Sequence, residues 1–134
     1  MTNELVSGIH HTCLKCKDVE HFNKAVNFYK NILGFTVYKD FDFNGSPAAM
    51  LKCGDSILEL FSDAGEILPT GIIQHFALQT KDTDALAKAV KDAGCEVTLA
   101  PQDVTIEDKT ADYPVRIAFF TGPVGETIEI FQEK

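Results

Sequence analysis

The chain is written twice, and that repetition limits the folds open to it. His11-Thr-Cys-Leu-Lys-Cys-Lys-Asp18 returns as His75-Phe-Ala-Leu-Gln-Thr-Lys-Asp82, displaced throughout by 64 positions (75 − 11 = 82 − 18 = 64), with Leu14/Leu78 and Lys17/Lys81 in step. Further along each half, Ile57-Leu58-Glu59-Leu60-Phe61 answers to Thr127-Ile128-Glu129-Ile130-Phe131. A unit of about 60 residues buries little surface by itself, so the halves are expected to pack together as one domain. That domain spans 134 residues, with modules near 8–62 and 72–132. Two histidines and two glutamates at matching places suit one divalent metal ion as ligands.

Each half predicts the same order of elements. Residues 8–16 alternate as a strand, and Asp18 opens a turn into a helix. Phe22, Val26, Tyr29 and Leu33 recur at helical spacing, and Gly34 closes that helix. Three strand-like runs follow, at 35–38, 48–52 and 56–61, separated by the turn signals Asn44-Gly45-Ser46-Pro47 and Gly54-Asp55. Residues 63–71 read as the linker. The second half predicts a strand at 75–80, a helix at 82–93 ended by Gly94, and strands at 96–99, 115–121 and 126–132. Between Pro101 and Pro114 the sequence predicts a long polar loop, of the kind that contacts substrate or closes as a lid.

Strand periodicity sorts the candidate ligands. His11 shares a face with Cys13 and Lys15, Glu59 with Ile57 and Phe61, His75 with Ala77 and Gln79, and Glu129 with Thr127 and Phe131. The opposite faces carry Leu58 and Leu60, or Ile128 and Ile130, and suit packing beneath a helix. A carboxylate set between Ile57 and Phe61 is costly to bury unless a positive charge answers it. A single strand glutamate usually faces solvent; four such residues in two-fold correspondence favour a metal.

A net charge of −8 and a sequence pI near 4.8 exclude nucleic acid and anionic membrane surfaces as natural partners. No apolar run approaches the roughly 20 residues that cross a bilayer, and the N-terminus shows no signal-peptide core. Cys13, Cys16, Cys53 and Cys95 do not form a disulfide framework for a domain of this size. Cys13 and Cys16, three apart in a strand, point to opposite faces and so do not pair as zinc ligands. The expectation is four reduced thiols in a cytoplasmic protein.

The run His11-Thr-x-Leu-x-x-x-Asp18, followed by Ala25-Val-x-Phe28-Tyr29-Lys-x-x-Leu33-Gly34-Phe35, resembles the vicinal oxygen chelate superfamily over residues 8–132. That superfamily includes glyoxalase I, methylmalonyl-CoA epimerase, extradiol dioxygenases, and the fosfomycin and bleomycin resistance proteins. The resemblance implies an α+β fold of two tandem βαβββ modules, whose curved mixed sheets enclose a metal cleft. It places the glyoxalase-type ligands on His11, Glu59, His75 and Glu129, with Glu129 as the base and Glu59 its partner. It implies one divalent ion (Ni, Co, Mn or Zn), a homodimer, and a lyase or isomerase acting on a small vicinal-oxygen substrate. A 2-oxoaldehyde hemithioacetal is such a substrate, with the proton moved by way of a metal-stabilised enediolate.

Alternatives remain within the same resemblance. The epimerases usually carry Gln at the place of Glu59, the dioxygenases use two His and one Glu, and the bleomycin-resistance type binds a small molecule without catalysis. Glutathione-dependent members typically have Arg at the place of Lys15 and Asn near Asp63. Lysine lacks the bidentate fork and aspartate repels a carboxylate, so both departures count against glutathione. Lys15, and Arg116 if its strand alternates toward the cavity, are the candidate substrate contacts. His10 is read as a strand-end residue on the face opposite His11. Phe41 and Phe43 are assigned to packing between the modules rather than to lining the cavity, and Tyr113 to the border of the long loop.

Overall fold

Two aspartates start the two helices, as the matched Lys-Asp pairs suggest. Asp18 accepts a hydrogen bond from the His21 amide at 2.9 Å, and Asp82 accepts one from the Ala85 amide at 3.0 Å, each satisfying a first-turn donor. The computed structural model describes residues 5, 9–71, 73–107 and 109–134; positions 8 and 72, where the modules were expected to begin, lie outside them. It divides into two compact units, residues 1–68 and 69–134.

In the first unit, β1 (Thr12–Lys15) leads to α1 (Val19–Asn27), then β2 (Thr36–Phe43), β3 (Ser46–Cys53) and β4 (Ser56–Phe61). The sheet order is β1-β4-β3-β2, with β1 parallel to β4 and the other pairs antiparallel. In the second unit, β5 (Phe76–Gln79), α2 (Thr83–Asp92), β6 (Glu96–Ile106), β7 (Tyr113–Thr121) and β8 (Thr127–Glu133) repeat that order as β5-β8-β7-β6. The fold class is α+β, two βαβββ modules each built on a four-stranded mixed sheet.

The apolar faces are those the alternation assigns to the core. Leu51, Leu58 and Leu60 are buried in the first unit, with Phe22 and Ala25 of α1. In the second, Ala118, Phe120, Ile128 and Ile130 are buried with Ala87 and Val90 of α2. Burial of this kind contributes about 25 cal/mol per Å² of apolar surface removed from water.

Three details depart from expectation. The first helix does not continue as an α-helix to Leu33; Phe28–Ile32 form a π-helical turn. That wider turn carries the adjacent residues Phe28 and Tyr29 both into the core, ring centroids 5.3 Å apart and edge to face. Strand β2 runs five residues past Tyr38, to Phe43, and turns back through Asn44 and Gly45, whose φ values of 51° and 82° fit the tight hairpin turn that such a pair favours.

The predicted loop at 101–114 is largely a hairpin instead. Strand β6 extends to Ile106 and pairs with β7 from Gln102↔Ile117 to Ile106↔Tyr113. Pro101 falls in the register break between Leu99 and Gln102, where a missing amide donor costs no ladder bond. Residues 102–106 are exposed or half-buried on both faces of the strand, so no buried apolar row marks it and its polar composition reads as loop. Among the described residues no helix is long and apolar enough to cross a membrane.

Candidate functional site

Parallel pairing builds the same two-residue arrangement in each unit. In the first, Cys13 of β1 lies beside Glu59 of β4, so His11, two positions before Cys13, approaches the glutamate. His11 Nε2 is 3.2 Å from Glu59 Oε1. In the second, Ala77 of β5 lies beside Glu129 of β8, and His75 Nε2 is 3.4 Å from Glu129 Oε1. The structure thus brings His11 to Glu59 and His75 to Glu129. Among the described residues no group of three or more His, Cys, Asp or Glu side chains forms a metal-binding cluster.

The neighbours of the two carboxylates are largely apolar. Met50 of β3 stands opposite Glu59, and Phe119 of β7 opposite Glu129; Phe119 meets the His75 ring edge to face at 5.5 Å. Phe43 and Phe61 pack at 5.1 Å on the Glu59 face, within the first unit. Met50 and Phe119 escaped the sequence reading because only strand register places them beside the glutamates. Glu59 is 7% exposed. A carboxylate so enclosed, with one imidazole nitrogen in ion-pair range, is the kind of group that a bound cation would compensate.

The donor sets fit such an ion. Separations of 3.2 and 3.4 Å between nitrogen and oxygen match neighbouring ligands of one metal with bonds of about 2.1 Å. Each unit supplies one imidazole and one carboxylate, donor types that transition-metal divalent ions accept.

The other candidates are placed as follows. Cys13 stands on the Glu59 face while Cys16 is fully buried, and all four cysteines are free. Burial first, and then the negative charge of Glu59, push the Cys13 thiol above its ordinary value, so it is held protonated at neutral pH. Lys15 shares this face but is engaged: its Nζ is 3.1 Å from Asp63 Oδ1 and lies over the Phe61 ring at 5.5 Å. Tyr113 donates to Glu133 at 2.6 Å. His10 is not an isolated strand-end residue. It precedes β1, where strand alternation no longer separates neighbours, and its Nδ1 lies 2.9 Å from His11 Nδ1.

Arg116 corrects the sequence reading. It pairs with Gln132, a position of the Ala118/Ile130 face, whereas Glu129 pairs with Phe119 on the other. Its guanidinium makes a bidentate bond to Asp84 of α2, at 2.8 and 2.9 Å, and lies 3.2 Å from Asp103. Arg116 therefore ties the helix to its sheet. That tie carries a pH dependence. The Arg116 hydrogen bond holds the Asp84 carboxyl below its ordinary value. A lowered folded-state value gives stability that is present above the unfolded value and lost as pH falls through the folded one. Asp84→Asn is thus expected to lower the melting temperature slightly at neutral pH. The gap from the parent should close as thermal scans descend through the acid range; a gap that stays constant refutes the pairing.

Two tandem βαβββ modules with mixed four-stranded sheets define the vicinal oxygen chelate class of fold. The chain belongs to the Glyoxalase/Bleomycin resistance protein/Dioxygenase superfamily, whose family model matches residues 8–130. Solved structures agree on the fold. A glyoxylase/bleomycin resistance protein/dioxygenase domain from Frankia sp. EAN1pec is 17% identical with a TM-score of 0.76, over 96% of this chain and 99% of that one. A lactoylglutathione lyase from Agrobacterium tumefaciens is 20% identical with a TM-score of 0.61, over 95% and 94%. An antibiotic binding protein from Streptomyces sp. CB03234 is 23% identical with a TM-score of 0.64, over 96% and 99%. No curated protein sequence matches the chain.

Proposed function

We propose that the chain is a metal-dependent lyase or isomerase of the glyoxalase I kind, with His11, Glu59, His75 and Glu129 as ligands of one divalent ion. The observation that carries this reading is the repeated dyad, one imidazole and one glutamate at equivalent register in each unit. The lactoylglutathione lyase of the same fold supports it as an analogue. When bound, such a cation polarises two adjacent substrate oxygens and makes the neighbouring C–H more acidic. Glu129 takes that proton and returns it to the adjacent carbon. Phe119 and Phe131, beside Glu129 on its strand face, restrict water around the carboxylate. Glu59, buried against Met50, serves as ligand and as the second carboxylate.

The acceptor thiol is not assigned to glutathione. Lys15 already pairs with Asp63, leaving little net positive charge there for a glycyl carboxylate. An epimerase-like reading uses the same proton transfer, but Glu59 stands where epimerases usually carry Gln. A homodimer in the cytoplasm, consistent with four free cysteines, completes the proposal.

A non-catalytic binder is the rival reading, favoured by the antibiotic binding protein of similar fold and by the two-donor limit of the observed groupings. Reconstitution separates the two. Protein stripped by a chelator is expected to recover about one equivalent of Ni²⁺ or Co²⁺ and, with it, turnover of methylglyoxal in the presence of one of several thiols. Zn²⁺, which prefers four ligands, is expected to bind and support less turnover. Failure to retain any of these ions after dialysis would favour the binder.

A further inference from the structure

We propose that Tyr38, Lys39 and Lys52 form a subsite for an anionic group, a carboxylate or phosphate, of a ligand bound on the Glu59 face. That the group belongs to the substrate rests on the function proposed above; that the cluster takes an anion does not.

The register of the first sheet assembles the cluster. Val37 pairs with Leu51 and Lys39 with Met50, so β2 uses two residues where β3 uses one, with Tyr38 as the extra. Such a bulge breaks the alternation and re-aims side chains. Tyr38 and Lys39 are consecutive and would otherwise point to opposite faces. Instead the Lys39 ammonium lies 5.0 Å from the centre of the Tyr38 ring, and the Lys52 ammonium lies 5.2 Å from it. Lys52 pairs with Ile57, which shares its face with Glu59, and Met50 stands between Lys39 and Glu59. Two strand spacings separate Lys39 from Glu59, about 10 Å between Cα atoms. The cluster therefore adjoins the first dyad at a distance that suits the non-reacting end of a small substrate.

Charge selects the ligand. Lys15, on the same face, is paired with Asp63. Acidic residues outnumber basic ones by 20 to 12, yet among the described residues neither Lys39 nor Lys52 makes an ion pair or hydrogen bond. Two ammonium groups gathered on one ring repel each other, and an anion in contact with both removes that repulsion. The ring attracts both cations, so part of the ordering that an anion requires precedes its arrival. A carboxylate or phosphate then accepts charge-assisted hydrogen bonds from both.

The second unit supplies the comparison. Val97 pairs with Phe120 and Leu99 with Phe119, the same break at the equivalent place, with Phe119 opposite Glu129. There the three positions hold Thr98, Leu99 and Thr121. The bulge thus forms without lysine or tyrosine, and the strand does not need the two cations in order to fold.

The test is a titration of ¹⁵N-labelled metal-free protein with inorganic phosphate and, separately, with succinate, at constant ionic strength. Saturable amide shifts centred on Tyr38, Lys39 and Lys52 are expected with at least one anion, and the tighter of the two names the group. Lys39→Met and Lys52→Met should each weaken binding about tenfold, Lys52→Arg should retain most of it, and Thr121→Ala should change nothing. Lys39 is exposed and Lys52 half-buried, so these variants are expected to fold, with amide spectra unchanged elsewhere. In metal-loaded protein, Lys52→Met should raise KM about tenfold for methylglyoxal adducts of mercaptoacetate or phosphopantetheine, and leave it unchanged for the mercaptoethanol adduct. No saturable shift with either anion, or shifts that survive both methionine variants, overturns the subsite. Lysine-dependent anion binding without turnover under any metal keeps the subsite and overturns the catalytic reading, and with it the assignment to substrate. Turnover whose KM ignores both thiol charge and Lys52→Met overturns that assignment while the catalytic reading stands.

Discussion

Replacing Glu129 by glutamine is expected to lower turnover about a thousandfold while weakening metal binding by less than about tenfold. The substitution keeps the side-chain shape and an oxygen donor 3.4 Å from His75, so the second dyad survives as a pair of ligands. An amide, however, does not take a proton from carbon at neutral pH, so the step assigned to Glu129 fails. Turnover at saturating metal and substrate, set against calorimetric metal affinity, separates the two effects. If the two fall together, Glu129 is a ligand without a role as base. Glu59→Gln offers the useful contrast: it produces the residue found in epimerases and is expected to shift the reaction toward exchange at a single carbon.

The second large effect concerns stability. Phe120→Ala is expected to cost about 3–5 kcal/mol, measured as the fall in unfolding free energy in denaturant. The ring is fully buried near the C-terminal end of β7, paired with Ile128 on one side and Val97 on the other. Its face carries Ala118, Ile128 and Ile130, all buried, so no flexible surface group can collapse into the space left behind. Domains of this size are stable by only about 5–15 kcal/mol, so the variant should unfold well below the temperature of its parent. Phe43→Ala, at a position 43% exposed, is expected to cost much less. A loss under about 1 kcal/mol at Phe120 would contradict the assignment of the second core.

Most of the secondary structure was legible because two periodicities run unbroken through the chain. Leu58 and Leu60 alternate with Glu59, and Ile128 and Ile130 with Glu129, and a strand carries that alternation directly onto its two faces. Asp18, Asp82, Gly34 and Gly94 mark helix ends through local chemistry that needs no partner strand. The hairpin arm at 102–113 was not legible for the same reason in reverse. Its β6 side is an edge strand, where polar residues and Pro101 are tolerated, so its alternation lacks the apolar row that marks a buried face.

The site divides along the same line. Duplication singled out His11 with His75, 64 positions apart, and Glu59 with Glu129, 70 apart (75 − 11 = 64; 129 − 59 = 70), before any fold was known. Which side chains touch them was beyond that reading. Met50 and Phe119 face the glutamates only because antiparallel register puts them there. Arg116, the single arginine, drew attention by its charge, yet its position in β7 turns it toward Asp84 and α2.

The sequence by itself determined the doubled architecture, the helix boundaries set by capping residues, and the paired identity of the imidazoles and carboxylates. These rest on periodicity and local hydrogen bonding, which act within a few residues. Only the tertiary structure decided that His11 meets Glu59 and His75 meets Glu129, that Lys15 is held by Asp63, and that His10 bonds to His11. Most of those contacts join residues about 50 positions apart, and strand register, a cooperative property of the folded sheet, sets them. His10 and His11 are neighbours in sequence, but how the chain enters β1 brings their rings together.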